Sequence, residues 1–237
     1  MHNLHRIQTL ILKKLLFYPE CRYSDLRIED DMENNKLNFH LNQLKILGLI
    51  EKNGTFYRLT DKGKGYAGKL DTEKLTLKVQ AKISVWVCCQ RDTDNLTNEY
   101  LIYTRLKSPF YGCQGFMSGK VDYGETVLKA ASRELSEETG LTGDPTIVAL
   151  KHYLVFDKKS NNLLEDKFMF LCLVKNPHGE ITAGPEGIYK WVHENQLSEY
   201  VKNPFEDYDA FTSELDLIKS YTGTLRFTET HHYSEKF

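Results

Sequence analysis

The sequence predicts a two-domain chain of class α+β / α/β: a small helical domain closed by a hairpin, then a larger domain of strands with one long acidic helix. Three observations carry this. The length of 237 residues exceeds one small module and suits two compact ones. The apolar pattern changes from helical spacing before residue 70 to alternation after it. Charge changes with it: residues 1–70 hold 12 Lys+Arg against 8 Asp+Glu, leaving 19 against 25 of the totals of 31 and 33, so the first domain tolerates a polyanion better than the second.

With 41% hydrophobic and 27% charged residues the chain can bury real cores, which excludes a disordered or collagenous class. No run approaches the roughly 18 apolar residues of a membrane span, and the apolar stretch from Leu10 to Leu16 is broken by Lys13 and Lys14, against a signal peptide. The five cysteines lack CxxC spacing, and alternation sends Cys88 and Cys89 to opposite faces of one strand. A reduced, cytoplasmic setting is expected.

The first element is a helix from Leu4 to Phe17, with Leu4, Ile7, Leu10, Ile11 and Leu15 on one face. After Pro19, residues Tyr23 to Arg27 have room for a short second helix, and Leu37, Leu41, Leu44 and Leu47 set a third that stops at Gly48. Asn53-Gly54 between strand formers predicts a hairpin in which both turn residues take positive φ. Three helices and a hairpin over residues 1–70 resemble a winged helix-turn-helix domain, carried by Leu37 to Leu44, Gly48-Leu49-Ile50 and Tyr57 to Gly63. That resemblance implies a third helix in the major groove of double-stranded DNA and a wing on the backbone, making Asn34, Asn35, Lys36, Asn38 and Arg58 contact candidates, with Asn42 and Lys52 beside them. Such modules also dimerise, and Glu29, Asp30, Asp31 and Glu33 would repel phosphates, so a protein-contact role stands beside DNA binding and a homodimer is expected.

Residues 71–74 read as a linker and 75–203 as the second domain. Leu75, Leu77 and Val79, then Ile83, Val85 and Val87, alternate as one strand face; further strands are expected at 100–105, 147–156, 167–174 and 189–193. The segment 204–237 opens with a helix carrying Phe205, Tyr208, Phe211, Leu215 and Ile218. Beyond Gly223 no pattern is legible, and the tail with His231 and His232 is expected to be an exposed terminus.

The helix expected at 126–139 breaks two local rules. Lys129, Ser132, Arg133 and Ser136 share a solvent face, whereas Glu134 and Glu138 share the apolar face with Val127, Ala130 and Ala131, and Glu137 sits at its edge. These acids also lie at the C-terminal end, where the helix dipole disfavours negative charge, so a cation should compensate them. Spaced i, i+3 and i+4, the three converge over one turn as hard oxygen ligands suited to Mg²⁺ or Mn²⁺; an ordinary solvated acidic helix is the plainer alternative.

The spacing around them is more specific. Gly119, five residues, Glu125, seven residues, then Arg133-Glu134-Leu135-Ser136-Glu137-Glu138-Thr139-Gly140-Leu141 resembles the Nudix box, Gx₅Ex₇REUxEExGU, at every specified position. The resemblance implies an α/β/α sandwich around a mixed sheet, and a hydrolase that splits a phosphoanhydride in a nucleoside-diphosphate-linked or nucleoside triphosphate substrate. It implies Glu134, Glu137 and Glu138 as metal ligands helped by the carbonyl of Ser118 or Gly119, Glu125 paired with Arg133, and tight turns at Gly119 and Gly124. Glu134 is the expected general base, with Glu165 or Glu186 from later segments as alternatives. Arg105 and Lys120 are candidates for phosphate contacts, or solvated charges. Phe110, Tyr111, Tyr153, Phe156 and Trp191 are candidates to stack on a base, or core residues. Known regulators of NAD metabolism join the same two domains in the reverse order and often with a degenerate box, which makes a nucleotide-sensing transcription regulator the alternative function; the intact box here argues for turnover.

Overall fold

The computed structural model describes residues 4–29, 31–93, 97–182 and 184–237. Its contacts divide the chain into two compact units, Met1–Val79 and Gln80–Phe237.

In the first unit, α1 (Arg6–Phe17) is opened by a capping box in which the Ile7 amide donates to the His5 ring at 3.2 Å and the His5 amide donates to Gln8 Oε1 at 2.8 Å. The expected second helix is a single 3₁₀ turn, Ser24–Leu26, following the short β1 (Cys21–Arg22). Five residues are too few to nucleate a helix, and Asp25 instead accepts the Arg22 amide at 2.8 Å. Next comes α2 (Asn34–Ile46), which buries Leu37, Leu41 and Leu44. The hairpin follows as β2 (Ile50–Asn53) and β3 (Phe56–Leu59), with β1 added as a third strand along β3. Its turn is Gly54-Thr55, because Asn53 still pairs with Phe56, and Gly54 alone of the three takes positive φ, at 59°.

A further helix, α3 (Asp61–Ala67), stands where the wing was expected to continue, since Thr60 Oγ1 caps the Gly63 amide at 3.0 Å. Then β4 (Leu70–Asp71) pairs with β5 (Thr76–Leu77), so the expected linker 71–74 and the strand start at Leu75 are instead a hairpin of the first unit. Leu75 sits in its turn at φ 57°, and Val79 is fully exposed at the boundary.

The second unit runs β6 (Lys82–Asp92), β7 (Asn98–Arg105), β8 (Gln114–Gly115), β9 (Met117–Lys120), α4 (Val127–Thr139), β10 (Pro145–Asp157), β11 (Leu163–Lys175), β12 (Gly187–His193), α5 (Leu197–Tyr200), α6 (Tyr208–Lys219) and β13 (Arg226–Ser234). The sheet order is β12-β7-β6-β11-β10-β13; β6–β11 and β10–β13 are parallel and the other neighbours antiparallel, so the sheet is mixed. Val85, Val87 and Cys89 of β6 pack with Ala130, Ala131 and Leu135 of α4, while Trp86 and Cys88 pack with Phe211, Leu215 and Ile218 of α6. The two helices therefore cover opposite faces, and β6 is buried on both, which is why its run of apolar residues is nearly continuous. Ile83, at the open end of β6, is half exposed rather than part of the inner face.

Two features of this sheet shape a cavity. β6 pairs with β7 only at Gln90–Asp92 and then leaves it, pairing with β9 through Ser84–Val87, while β7 takes β8 at Tyr103 and Thr104. The sheet forks there. The C-terminal tail, expected to be an exposed terminus, is instead β13, held parallel to β10 from Arg226 to Ser234. Tyr153 Oη and His232 Nδ1 lie 2.6 Å apart, and the Phe110 amide donates to the Lys236 carbonyl at 3.1 Å, fastening the tail to the rim of the fork. Among the described residues no helix is long and apolar enough to cross a membrane.

Candidate active site

The acidic helix begins at a Thr126 cap, whose Oγ1 accepts the Lys129 amide at 3.4 Å, and ends at Gly140, whose left-handed φ of 74° closes the last turn onto Ser136. Leu135 and the two alanines anchor it to β6, which fixes the direction of Glu134 and Glu138. Glu134 lies against β9 so closely that a Cβ on Gly119 would fall 1.9 Å from its Cδ and 2.2 Å from its Oε2. Gly119 is thus required by close approach and not, as expected, by a turn; Gly124, at φ 86°, does turn the loop. Gly119→Ala should therefore displace Glu134 and lower turnover by roughly tenfold with little change in melting temperature, since ångström shifts of reacting groups are costly. Activity equal to wild type in a steady-state assay would refute this.

Arg133 is the hub. Its Nε and Nη2 donate to the two oxygens of Glu125 at 2.9 and 3.0 Å, and Nη2 also donates to the Lys120 carbonyl at 3.0 Å. This bidentate pair holds the Glu125 carboxyl below the usual carboxylate range. The expected separation of Arg133 from the acids is not found: Nη1 donates to Glu134 Oε1 at 2.9 Å and Glu137 Oε2 at 3.0 Å. Arg133 thus supplies a cation to two of the three acids at this helix terminus. Glu138 looks elsewhere, accepting from Tyr189 Oη of β12 at 2.5 Å. Burial pushes its carboxyl up, and the tyrosine bond only partly offsets that. Tyr189, stacked on Tyr103 with ring centroids 5.2 Å apart, was legible in sequence only as a strand residue.

The three glutamates line one wall of a cavity of about 840 Å³ at the fork. That volume lies within the roughly 300 to 1,000 Å³ typical of small-molecule sites. Arg105 and Lys120 both line it, Arg105 with Nε on the Pro109 carbonyl at 2.6 Å. Glu165 and Glu186 line it too, but each is engaged: Glu165 by Lys82 at 2.9 Å and Lys167 at 2.7 Å, Glu186 by Lys107. Burial acts to raise the Glu165 carboxyl, yet the two lysines outweigh it and leave it below the usual range. Of the aromatic candidates, Phe110 and Tyr153 line the cavity; Tyr111 is exposed, Phe156 stacks on Tyr233, and Trp191 carries Arg91 4.4 Å above its ring.

Among the described residues, no three acidic, His or Cys side chains are already gathered as a cation cage, because Glu134 and Glu137 turn to Arg133 and Glu138 to Tyr189. The donor set itself fits Mg²⁺ or Mn²⁺: three carboxylates within five residues of one helix, all facing one cavity, beside a glycine that lets Glu134 approach the β9 backbone.

In the first unit, Asn34, Asn35, Lys36 and Asn38 are exposed along the start of α2, and Arg58 is half-buried on β3. Their polar groups are partly engaged: Lys36 lies 3.8 Å from Glu29, Arg58 2.6 Å from Glu51, and Asn34 accepts from Arg27 at 2.6 Å.

Residues 81–212 match the family model described as the NUDIX domain. The ADP-ribose pyrophosphatase of Methanocaldococcus jannaschii is 35% identical over 92 residues, 37% of this chain and 52% of that protein, so the chain spans about half the length of this curated relative. The mutator MutT protein of Bacillus halodurans superposes with a TM-score of 0.50 at 19% identity, covering 66% of this chain and 93% of that one, which supports the fold. The NUDIX domain of Shewanella oneidensis NrtR complexed with ADP ribose has a TM-score of 0.49 at 14% identity, covering 68% of this chain and 99% of that one.

Proposed function

This chain belongs to the NUDIX family, and on that premise we propose that it is a divalent-metal-dependent hydrolase of the phosphoanhydride in a nucleoside-diphosphate-linked compound, ADP-ribose being the first to test. The observation that carries the reading is the wall of Glu134, Glu137 and Glu138 in a nucleotide-sized cavity that also presents Arg105, Lys107 and Lys120. Anionic phosphate oxygens shield the phosphorus from attack, and the cations along the rim draw that diphosphate in and hold it. Glu134, Glu137 and Glu138 would hold Mg²⁺ or Mn²⁺, which neutralises phosphate charge and lowers the pKa of an attacking water. Glu134, whose Oε1 takes Arg133 and whose Oε2 faces Gly119, accepts the proton of that water; Glu165 is a poorer base because lysines engage both of its oxygens. Glu125 and Arg133 keep the 120–125 loop on α4 so that the carboxylates face the cavity. The test is release of AMP from ADP-ribose, and of phosphate or pyrophosphate from nucleoside triphosphates, with Mg²⁺ or Mn²⁺ and with excess chelator. Turnover that persists in chelator, or none on any of these compounds, would overturn it.

The first unit supports a second activity. We read it as a winged helix, because α2 exposes Asn34, Asn35, Lys36 and Asn38 at its start and the β2–β3 hairpin with Arg58 follows it, joined by β1 as a third strand. Regulation of transcription by a nucleotide-sensing homodimer is the alternative role of the whole chain. With Lys36 and Arg58 each facing an acid, one copy offers few phosphate contacts, so binding should be weak and steeply salt-dependent unless two copies join. Fluorescence anisotropy of duplex DNA with the full chain should show binding that Lys36→Ala and Arg58→Ala weaken on all sequences. No binding at micromolar protein in low salt would leave a protein-contact role for this unit.

A further inference from the structure

The cavity wall formed by β10, α6 and the segment leading into α6, on the opposite face of the sheet from α4, holds three charged side chains that phosphoanhydride chemistry does not use. Lys151 Nζ lies 2.5 Å from Glu206 Oε1 and 2.9 Å from Glu214 Oε1, and the three side chains are only 8%, 12% and 8% exposed. Taking such charges out of water costs about as much as their attraction returns, and packed apolar residues in their place often stabilise a fold. The fold itself therefore gives no reason for the cluster. Its position does: the register sets Lys151 beside Met169, and Met169 beside Ser84, all lining the cavity, with Trp86 and Tyr153 under the ammonium at 5.4 and 4.9 Å from their ring centres.

The hydrogen-bond capacity of the trio specifies its ligand. An ammonium has three donors, of which two are used here, and each carboxylate bonds through one oxygen, leaving the other without a protein partner among the described residues. The trio therefore has one donor and two acceptors to spare. Burial acts to lower Lys151, but Glu214 and Glu206 outweigh it and hold the ammonium above the usual lysine range. Burial likewise pushes Glu214 up to about 7 against the pull of Lys151, and a ligand that donates to this carboxyl would favour its ionised form. A base edge with an exocyclic amino group beside a ring nitrogen acceptor meets this pattern. An edge with a carbonyl beside a ring N–H, held in the same register by the sugar and diphosphate, sets an oxygen against a carboxylate.

We propose that Lys151, Glu206 and Glu214 are specificity-determining residues that read the amino-bearing edge of the substrate's nucleobase, and so select adenine-type over hypoxanthine- or uracil-type compounds. This rests on the reading of the cavity as a nucleotide site. The decisive comparison is between ADP-ribose and inosine diphosphate ribose, which differ only where amino and ring nitrogen become carbonyl and N–H. With the full chain and Mg²⁺, kcat/KM should favour the adenine compound by at least about tenfold, because a site built to bond a polar group rejects the analogue that mismatches it. Glu206→Gln, whose amide can present either a donor or an acceptor, should bring the ratio within about threefold. Glu214→Gln serves as the second variant, and melting temperatures confirm that each is folded. A parallel arm needs no turnover: quenching of tryptophan fluorescence, with Trp86 on the cavity wall, by AMP and by IMP. If neither diphosphate is cleaved but AMP binds at least tenfold more tightly than IMP and Glu206→Gln removes the difference, the specificity site stands and the hydrolase reading falls. Equal use and equal binding of both bases by wild type, or a preference that survives in both variants, overturns the proposal and leaves the cluster a tie between β10 and α6.

Discussion

Replacing Glu134 or Glu138 by Gln should lower metal-dependent hydrolysis by roughly a hundredfold or more, about 3 kcal/mol of transition-state stabilisation, while the protein stays folded. Each substitution keeps the shape of the side chain and removes one negative charge from the cavity wall, so loss of cation binding is separated from loss of packing. Glu134 should be the more damaging, since it is both a proposed ligand and the proposed base, pressed against Gly119 with 13% of its side chain exposed. Glu137, at 61% exposed, has water as an alternative partner, and Glu137→Gln should cost less. Raising Mg²⁺ should partly rescue Glu138→Gln but not Glu134→Gln, because a weakened ligand can be offset by concentration and a missing base cannot. The measurement is initial rate against Mg²⁺ concentration for the three variants. Near wild-type rates in Glu134→Gln would remove that residue from the chemistry.

The acidic helix was legible because every local signal agreed: a threonine cap, alanines and Leu135 on one face, a glycine stop, and carboxylates where apolar residues belong. The reach of Arg133 was not. A helical wheel gives the direction of Cβ, whereas a guanidinium on a long flexible stem ends well away from it and crosses to the neighbouring face. The Lys151–Glu206–Glu214 cluster carried the same kind of signal as the acidic helix and was passed over. Glu214 sits among Phe211, Leu215 and Ile218 on the buried face of α6, and Lys151 between the inward Ala149 and Tyr153 of β10. In both cases an acid or a lysine in an otherwise apolar row is the signal that marks a candidate site. β13 was hidden for a different reason: Thr228, Thr230 and His232 alternate as polar residues, and its partner β10 lies some seventy positions earlier, beyond any local pattern. α3 was masked by expectation, since Thr60 and Asp61 are an ordinary helix start read as the continuation of a wing.

Arg133→Ala should cost roughly a hundredfold in turnover although the residue does not line the cavity, because it fixes carboxylates that do. Its guanidinium joins three things at once: Glu125 in the loop, Glu134 and Glu137 on the helix, and the Lys120 carbonyl at the end of β9. Without it Glu125 and Glu134, 15% and 13% exposed, face one another uncompensated, and the 120–125 loop loses its tie to α4. Lysine should rescue little, since one ammonium cannot bond two oxygens of Glu125 and reach across to Glu134 in a planar fork. The signature that distinguishes positioning from general loosening is a fall in kcat with nearly unchanged KM and melting temperature. A double-mutant cycle with Glu125→Gln settles whether the two act as a unit. If they do, the double variant loses about as much activity as Arg133→Ala alone, because the loop is already released; losses that multiply would mean that Glu125 and Arg133 act separately and that the loop is held to the helix by other contacts.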